Sequence, residues 1–222
     1  MRLYIIRHAE PDYPLDALTA HGYAQARALA RRLAGAGLDR IYSSPFQRAL
    51  ETARYTGEAL GLPLEIEPWT GELEDWWIAD EAKGERPAWD VDGATVRAGV
   101  PGIHQENWHA HPPFDSPPLR AGFAELQASS DAFLARHGYV RQGSSYRVVD
   151  GSGRARLAVF CHCGFGLTWL AHLLDIPLTL MWAGFTLPHC SVTTVGFEEV
   201  PGGGAAPRCS GLGDVSHLPA TS

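Results

Sequence analysis

The sequence predicts an α/β fold: a three-layer α/β/α sandwich around a mostly parallel central sheet. Two observations predict it. Short apolar runs alternate with segments of helical spacing, the pattern of strands exchanged with covering helices. The first run, Leu3-Tyr4-Ile5-Ile6, is apolar at every position, as a strand covered on both faces must be.

Each element has its own justification. After the first strand, Thr19 is a helix cap ahead of "AHGYAQARALARRLAG", where Ala26, Leu29, Ala30 and Leu33 share one face and Gly35 offers a stop. "DRIYSSP" gives a second strand. Ser44-Pro45 reads as a helix start, a capping side chain followed by proline at the first helical position. The helix "PFQRALETARYTGEAL" then runs to Gly61, and "LPLEIEP" is a third strand. Residues 79–118 break the pattern with Pro, Gly, His and Trp. Five of the seven tryptophans fall between Trp69 and Trp108, so this stretch reads as a folded insertion or lid beside a site, not a linker. "PPLRAGFAELQASSDAFLARHG" returns to helix, with Phe123, Leu126, Phe133 and Leu134 as its apolar face. "YRVVDGSGRARLAVF" reads as two strands joined by a turn that starts at Asp150. A helix, "FGLTWLAHLLD", and a last strong strand, "CSVTTVGFEE", complete the pattern. "PGGGAAP" reads as a flexible turn before a short closing segment at "GDVSHL". With no internal repeat and no second core, residues 1–222 are expected to form a single domain.

Composition narrows the partners. A net charge of −7 argues against nucleic acid, whose binding rests on phosphate neutralisation. A small anion is still compatible, since a few focused arginines outweigh a diffuse negative surface at short range. No apolar run approaches the roughly 20 residues that span a bilayer. No basic-then-apolar leader is evident, so no membrane partner and a cytoplasmic address are expected. Nothing in the pattern signals an oligomeric state. Cys161-His162-Cys163, with His189-Cys190, lacks the spacing of a zinc knuckle, and alternate strand residues point to opposite faces. The four cysteines therefore read as reduced thiols in or near the core. In "HQENWHAH", His104 to His111, a polar lid surface is expected in place of a metal trap. No metal and no cofactor are expected.

Open α/β sheets bind ligands outside the carboxyl ends of their strands. Past the first strand stand Arg7 and His8; past the second, Ser43, Ser44 and, one helical turn on, Arg48. Past the third come Glu72, Glu74 and Asp75, and past "RLAVFC" comes His162, with Gly164 and Gly166 opening a helix. Two guanidiniums, two imidazoles and a carboxyl describe a pocket for a phosphoryl group. Arginine forks match phosphate oxygens, a helix N-terminus adds backbone donors, a histidine can attack phosphorus, and a carboxylic acid can protonate a departing alkoxide.

"RHAE" at 7–10, "LTAHGYAQA" at 18–26, "IYSSPFQRALETA" at 41–53 and "VFCHCGFG" at 159–166 resemble the histidine phosphatase superfamily, the phosphoglycerate mutase-like family. The resemblance runs from residue 1 to the end of "SVTTVGF" and is weak between 75 and 120. It implies His8 as the nucleophile that becomes phosphohistidine, Arg7 and Arg48 as phosphate clamps, and His162 as a donor to the phosphoryl oxygens. The family's proton donor follows the third strand. In "WTGELEDWWI" Glu72 fits best, with Glu74 as a rival because the family's later "WEG" is missing. Cys163 stands where the family usually has glycine, and its backbone N–H can still bind substrate. Ser43 either touches phosphate or hydrogen-bonds its own turn. His21, His137, His172, His189 and His217 read as structural or solvated, and Trp76 and Trp77 as lid core. The implied activity is metal-independent hydrolysis of a small phosphate ester. The alternatives are a phosphoglycerate mutase, whose Trp-Asn and "LNERHYG" signatures are absent, and a non-catalytic phospho-ligand module.

Overall fold

The computed structural model describes residues 1–80, 84–99, 106–110, 112–149, 154–200 and 204–219. His104, His111 and the turn beginning at Asp150 lie outside the described residues. Strand β1 (Arg2–Arg7) buries Leu3 through Ile6 without interruption, as its apolar run requires. A small hairpin of β2 (Pro11–Asp12) and β3 (Ala17–Leu18) follows. Helix α1 (Ala20–Leu33) is capped by Thr19, whose hydroxyl accepts from the Gly22 N–H at 2.9 Å. Gly22 is required by contact as well: a Cβ there would lie 2.2 Å from the Glu10 carbonyl oxygen.

Next come β4 (Arg40–Ser43) and α2 (Gln47–Leu60), which ends on Gly61 in the left-handed region at φ 64°. Helix α2 starts two residues later than the Ser44-Pro45 signal predicts. Phe46 is its N-cap residue without a side-chain cap, because the Ser44 hydroxyl is engaged by a histidine across the pocket. β5 (Leu64–Ile66) completes the first half.

The described residues of the stretch 79–118 are folded. β6 (Trp77–Asp80) and β7 (Gly84–Pro87) form a hairpin, and α3 (Gly93–Gly99) follows. Ile78, Ala88, Val91, Val96 and Trp108 are buried in the same core as Phe123 and Trp182, which ties this segment to the main body. Helix α4 (Pro117–Arg136), β8 (Tyr139–Gln142), β9 (Ser145–Val148) and β10 (Arg156–Cys161) come next. Helices α5 (Cys163–Leu174) and α6 (Leu178–Gly184) and strands β11 (Val192–Val200) and β12 (Gly204–Asp214) close the chain.

Eight strands form one sheet in the order β5-β4-β10-β1-β11-β12-β9-β8. The half from β5 to β1 is parallel, and from β1 through β8 every pairing is antiparallel. Alternating side chains supply two cores, as three layers require. Leu3, Ile5, Leu157 and Val159 pack on one face with residues of α4, α5 and α6. Tyr4, Ile6, Ala158 and Phe160 pack on the other with Leu29 and Leu33 of α1 and Ala53 of α2. The antiparallel half exceeds the sequence expectation. The 11-residue β12 occupies much of the stretch read as a turn and closing segment, because its Gly- and Pro-rich composition carries no strand signal.

Candidate active site

Sheet register alone brings the two site histidines together. β1 and β10 run parallel with Arg7 opposite Cys161, so the next residues, His8 and His162, leave adjacent strand ends. The ladder continues through His8 N–H to the Cys161 carbonyl at 2.9 Å, and the imidazole centroids lie 5.1 Å apart. On the far side of β10, Phe160 pairs with Ser43 of β4, and the Ser44 N–H donates to the Phe160 carbonyl at 2.8 Å. Three neighbouring strands thus end at one place.

Each histidine is held in a defined way. His8 is buried, and its Nδ1 lies 2.7 Å from the Ala9 carbonyl oxygen. A carbonyl can only accept, so Nδ1 carries the proton and Nε2 keeps its lone pair. Burial, aided by the nearby Arg7 and Arg48 charges, lowers the His8 pKa to about 3, so the ring is neutral and nucleophilic at pH 7. His162, the N-cap residue of α5, is fully buried with Nε2 at 2.7 Å from Ser44 Oγ. Its pKa lies well below the ordinary value, first through burial and then through His8 and the two arginines.

The guanidiniums are anchored at their rims. Arg7 donates from Nη1 to the Leu187 carbonyl at 2.6 Å and from Nη2 to His189 Nε2 at 2.8 Å. Arg48 donates from Nη1 to Asp16 Oδ1 at 2.5 Å and lies over the Phe46 and Tyr13 rings at 4.7 and 5.7 Å. Eight buried side-chain nitrogen or oxygen atoms among the described residues lack a hydrogen-bond partner, and Arg7 Nε, Arg48 Nε and His162 Nδ1 are three of them. Buried donors without partners are costly, so three of them in one pocket mark a place suited to an acceptor-rich anion.

The two candidate carboxyls differ in setting. Glu72 Oε1 accepts from the Phe165 and Leu73 N–H groups at 2.9 and 3.1 Å, and Oε2 from Gly164 N–H at 3.2 Å. Burial raises its pKa against the pull of those backbone donors. Glu74, the rival, is exposed. Gly164 has to be glycine: a Cβ would lie 2.5 Å from a Trp89 ring carbon and 2.8 Å from Glu72 Oε1. Trp89 of the insertion therefore walls the carboxyl. Gly164 and Phe165 donate to Glu72, which leaves the Cys163 N–H as the amide of this first turn with no described bond.

Of the two readings of Ser43, the hydrogen bond to its own turn is present: its hydroxyl donates to the Ser44 carbonyl at 3.0 Å, and Ser44 is the serine that reaches His162. His189, read as structural or solvated, lies in the site, 5.5 Å from the His8 ring and bonded to Arg7. Because arginine only donates, His189 Nε2 is the acceptor and Nδ1 holds the proton. Burial and then Arg7 lower its pKa to about 4.

A profile of the histidine phosphatase superfamily (branch 1) matches residues 3–202. The chain belongs to that superfamily. An adenosylcobalamin/alpha-ribazole phosphatase of Escherichia coli is 28% identical over 193 residues, covering 82% of this chain and 83% of that protein. Among solved structures, a phosphoserine phosphatase mutant of Entamoeba histolytica in complex with phosphoserine superposes with a TM-score of 0.63 at 22% identity, covering 98% of both chains. A mycobacterial glucosyl-3-phosphoglycerate phosphatase does so with a TM-score of 0.58 at 20% identity, covering 96% of this chain and 98% of that one. The two structural likenesses concern the fold. In this histidine phosphatase superfamily member, no three His, Cys, Asp or Glu side chains among the described residues gather as a metal-binding group. No helix among them is long and apolar enough to cross a membrane.

Proposed function

We propose that the protein is a metal-independent phosphomonoester hydrolase that works through a phosphohistidine on a small phosphorylated metabolite. The observation that carries the reading is the pairing of a neutral His8 with its lone pair on Nε2 and three unpartnered buried donors around it. In the first step the Nε2 lone pair attacks phosphorus and the ester P–O bond breaks. Glu72 gives its proton to the departing alkoxide, a role its raised pKa suits. Arg7, Arg48, His162 and the Cys163 N–H stabilise the phosphoryl oxygens. In the second step the Glu72 carboxylate takes a proton from water, the water oxygen attacks phosphorus, and the N–P bond breaks to restore His8. Neutral His162 donates from Nδ1 only if Nε2 is bare, so the Ser44 hydroxyl donates to Nε2 and fixes that tautomer.

One domain spanning the chain carries this chemistry, with residues 79–118 as a lid that places Trp89 beside the acid. The E. coli relative, itself named a phosphatase, supports hydrolysis over mutase transfer or mere binding. The four unpaired cysteines support a reducing, cytoplasmic setting. The test is release of inorganic phosphate from p-nitrophenyl phosphate in EDTA by the native chain and by His8→Ala. Chelation-resistant activity that vanishes in the variant is expected. Equal release by both proteins excludes His8 as the nucleophile.

A further inference from the structure

The other end of the same strands carries a second concentration of positive charge. Arg156 of β10 pairs with Arg2 of β1, Arg2 with Gly196 of β11, and Gly196 with Arg208 of β12. Paired residues on neighbouring strands turn their side chains to one face, so three guanidiniums and a glycine form a row across four strands. Arg2 stands five residues before Arg7, which puts the row about 17 Å along β1 from the catalytic pocket. These four residues and Arg154 line one cavity of about 410 Å³, a volume typical of small-molecule sites. Gly196 is its open floor, since a Cβ there would meet nothing closer than the Arg208 carbonyl oxygen at 4.0 Å.

Like charges directly opposite each other destabilise a sheet, and little here offsets them. Glu198, on the cavity wall, lies 3.3 Å from Arg208 Nε, but both partners are more than half exposed and such a pair contributes little. Asp39 accepts the Arg156 backbone N–H at 2.7 Å, and Arg156 Nη1 donates to the Ala36 carbonyl at 2.8 Å. The Arg2 and Arg154 guanidiniums have no hydrogen bond or ion pair with a described residue. Four arginines against one carboxylate is a marked local excess in a chain with 18 Lys and Arg and 25 Asp and Glu. From Arg156 to Arg208 the row crosses three strand spacings, about 14 Å. That width suits an anion of two or three linked phosphates better than a single one, and guanidinium forks match its oxygens. The net charge of −7 disfavours a nucleic acid as the occupant.

We propose that this cavity is a second, non-catalytic binding site for a compact polyphosphate, inorganic or carried on a nucleoside. The test is calorimetric titration of tripolyphosphate into the His8→Ala chain in EDTA, with ATP and orthophosphate as comparators. The double variant Arg2→Gln, Arg154→Gln removes two guanidiniums at exposed positions. Gly196→Leu fills the cavity floor without altering charge. Both are expected to weaken tripolyphosphate binding by about tenfold or more, the scale of one lost charge-assisted hydrogen bond. Orthophosphate is expected to bind about tenfold more weakly than tripolyphosphate. With His8 in place, the same substitutions are expected to leave kcat/KM for p-nitrophenyl phosphate within about twofold, since they lie at the far end of the strands. ATP bound as tightly as tripolyphosphate assigns the site to nucleoside polyphosphates, and tripolyphosphate bound alone assigns it to the inorganic form. An affinity unmoved by either variant puts the polyphosphate in the catalytic pocket and overturns the inference. So does orthophosphate bound as tightly as tripolyphosphate, no binding at millimolar concentration, or a loss of turnover in step with the loss of binding. The calorimetric result stands whether or not the phosphatase reading holds.

Discussion

Glu72→Gln separates proton donation from every other role of the pocket. The amide is nearly isosteric with the carboxyl, so Trp89 and Gly164 keep their packing. One oxygen, however, becomes an NH2. Both Glu72 oxygens accept backbone N–H bonds, from Phe165 and Leu73 on one and Gly164 on the other. Whichever way the amide turns, at least one donor at the start of α5 faces another donor. Leaving such a group unsatisfied costs about 1–3 kcal/mol. At about 2–4 °C per kcal/mol for a chain of this size, Tm falls by a few to about 10 °C and the fold persists. The catalytic effect depends on the leaving group. An alkoxide departs poorly without a proton, so kcat on hexyl phosphate falls by about 10²–10⁴, the range typical of a lost general acid. A nitrophenolate departs without help, so kcat on p-nitrophenyl phosphate falls by less than about tenfold. The acid works only while protonated, so the wild-type advantage on hexyl phosphate shrinks as pH rises through the raised Glu72 pKa. Steady-state kinetics on both esters from pH 5 to 8, with circular dichroism to monitor folding, decide the matter. Equal losses on both substrates, or the alkyl-selective loss appearing in Glu74→Gln instead, would refute the assignment.

Three further outcomes follow from the same geometry. Ser44→Ala strands a buried His162 nitrogen and frees its tautomer, so kcat/KM drops by about 5- to 150-fold, the equivalent of about 1–3 kcal/mol. A value within twofold of wild type removes Ser44 from the mechanism. Gly164→Ala drives a Cβ into the Trp89 ring and the Glu72 oxygen, so it destabilises by about 1–3 kcal/mol and lowers turnover of alkyl esters more than of p-nitrophenyl phosphate; equal effects contradict the Trp89 wall. The buried imidazoles predict acid sensitivity. The folded-state pKa values of His8 (about 3) and His189 (about 4) lie below the ordinary 6.5, and that of His162 is lowered as well. Between those values and 6.5 the unfolded chain binds more protons, so stability is present at pH 7 and is lost as pH falls toward 4. Urea midpoints at pH 7, 6 and 5 should decrease in that order, and a constant midpoint contradicts the burial of these rings as neutral groups.

The parallel half of the sheet and its site were legible because two signals coincide there. β1 is apolar from Leu3 to Ile6 and β10 from Leu157 to Cys161, and each run stops abruptly at polar residues, Arg7-His8 and His162. Helix α1 was legible through its Thr19 cap and α2 through its Gly61 stop. The start of α2 was not, since Ser44 carries the same local signal whether its hydroxyl caps a helix or holds a histidine 118 residues away. Only tertiary contact distinguishes the two.

His189 was missed for a reason of topology that applies beyond this chain. Searching the residues after each strand is the right rule for parallel strands, because their carboxyl ends share one edge of the sheet. β11 runs antiparallel to β1, so its amino end lies at that edge, and the loop before the strand enters the site. The Cys190 N–H donates to the His8 carbonyl at 3.0 Å, which fixes that loop directly against His8. From this one inversion come His189 against Arg7 and the Leu187 carbonyl on the same guanidinium. The direction of β11 was not readable, since an apolar strand looks the same whichever way it pairs. Its consequence for searching a sequence is definite. Once a last strand follows a helix pair in such a fold, the few residues before it belong among the site candidates. Applied to "FTLPHCSVTT", that rule selects His189, the residue whose acceptor nitrogen holds the Arg7 guanidinium beside His8.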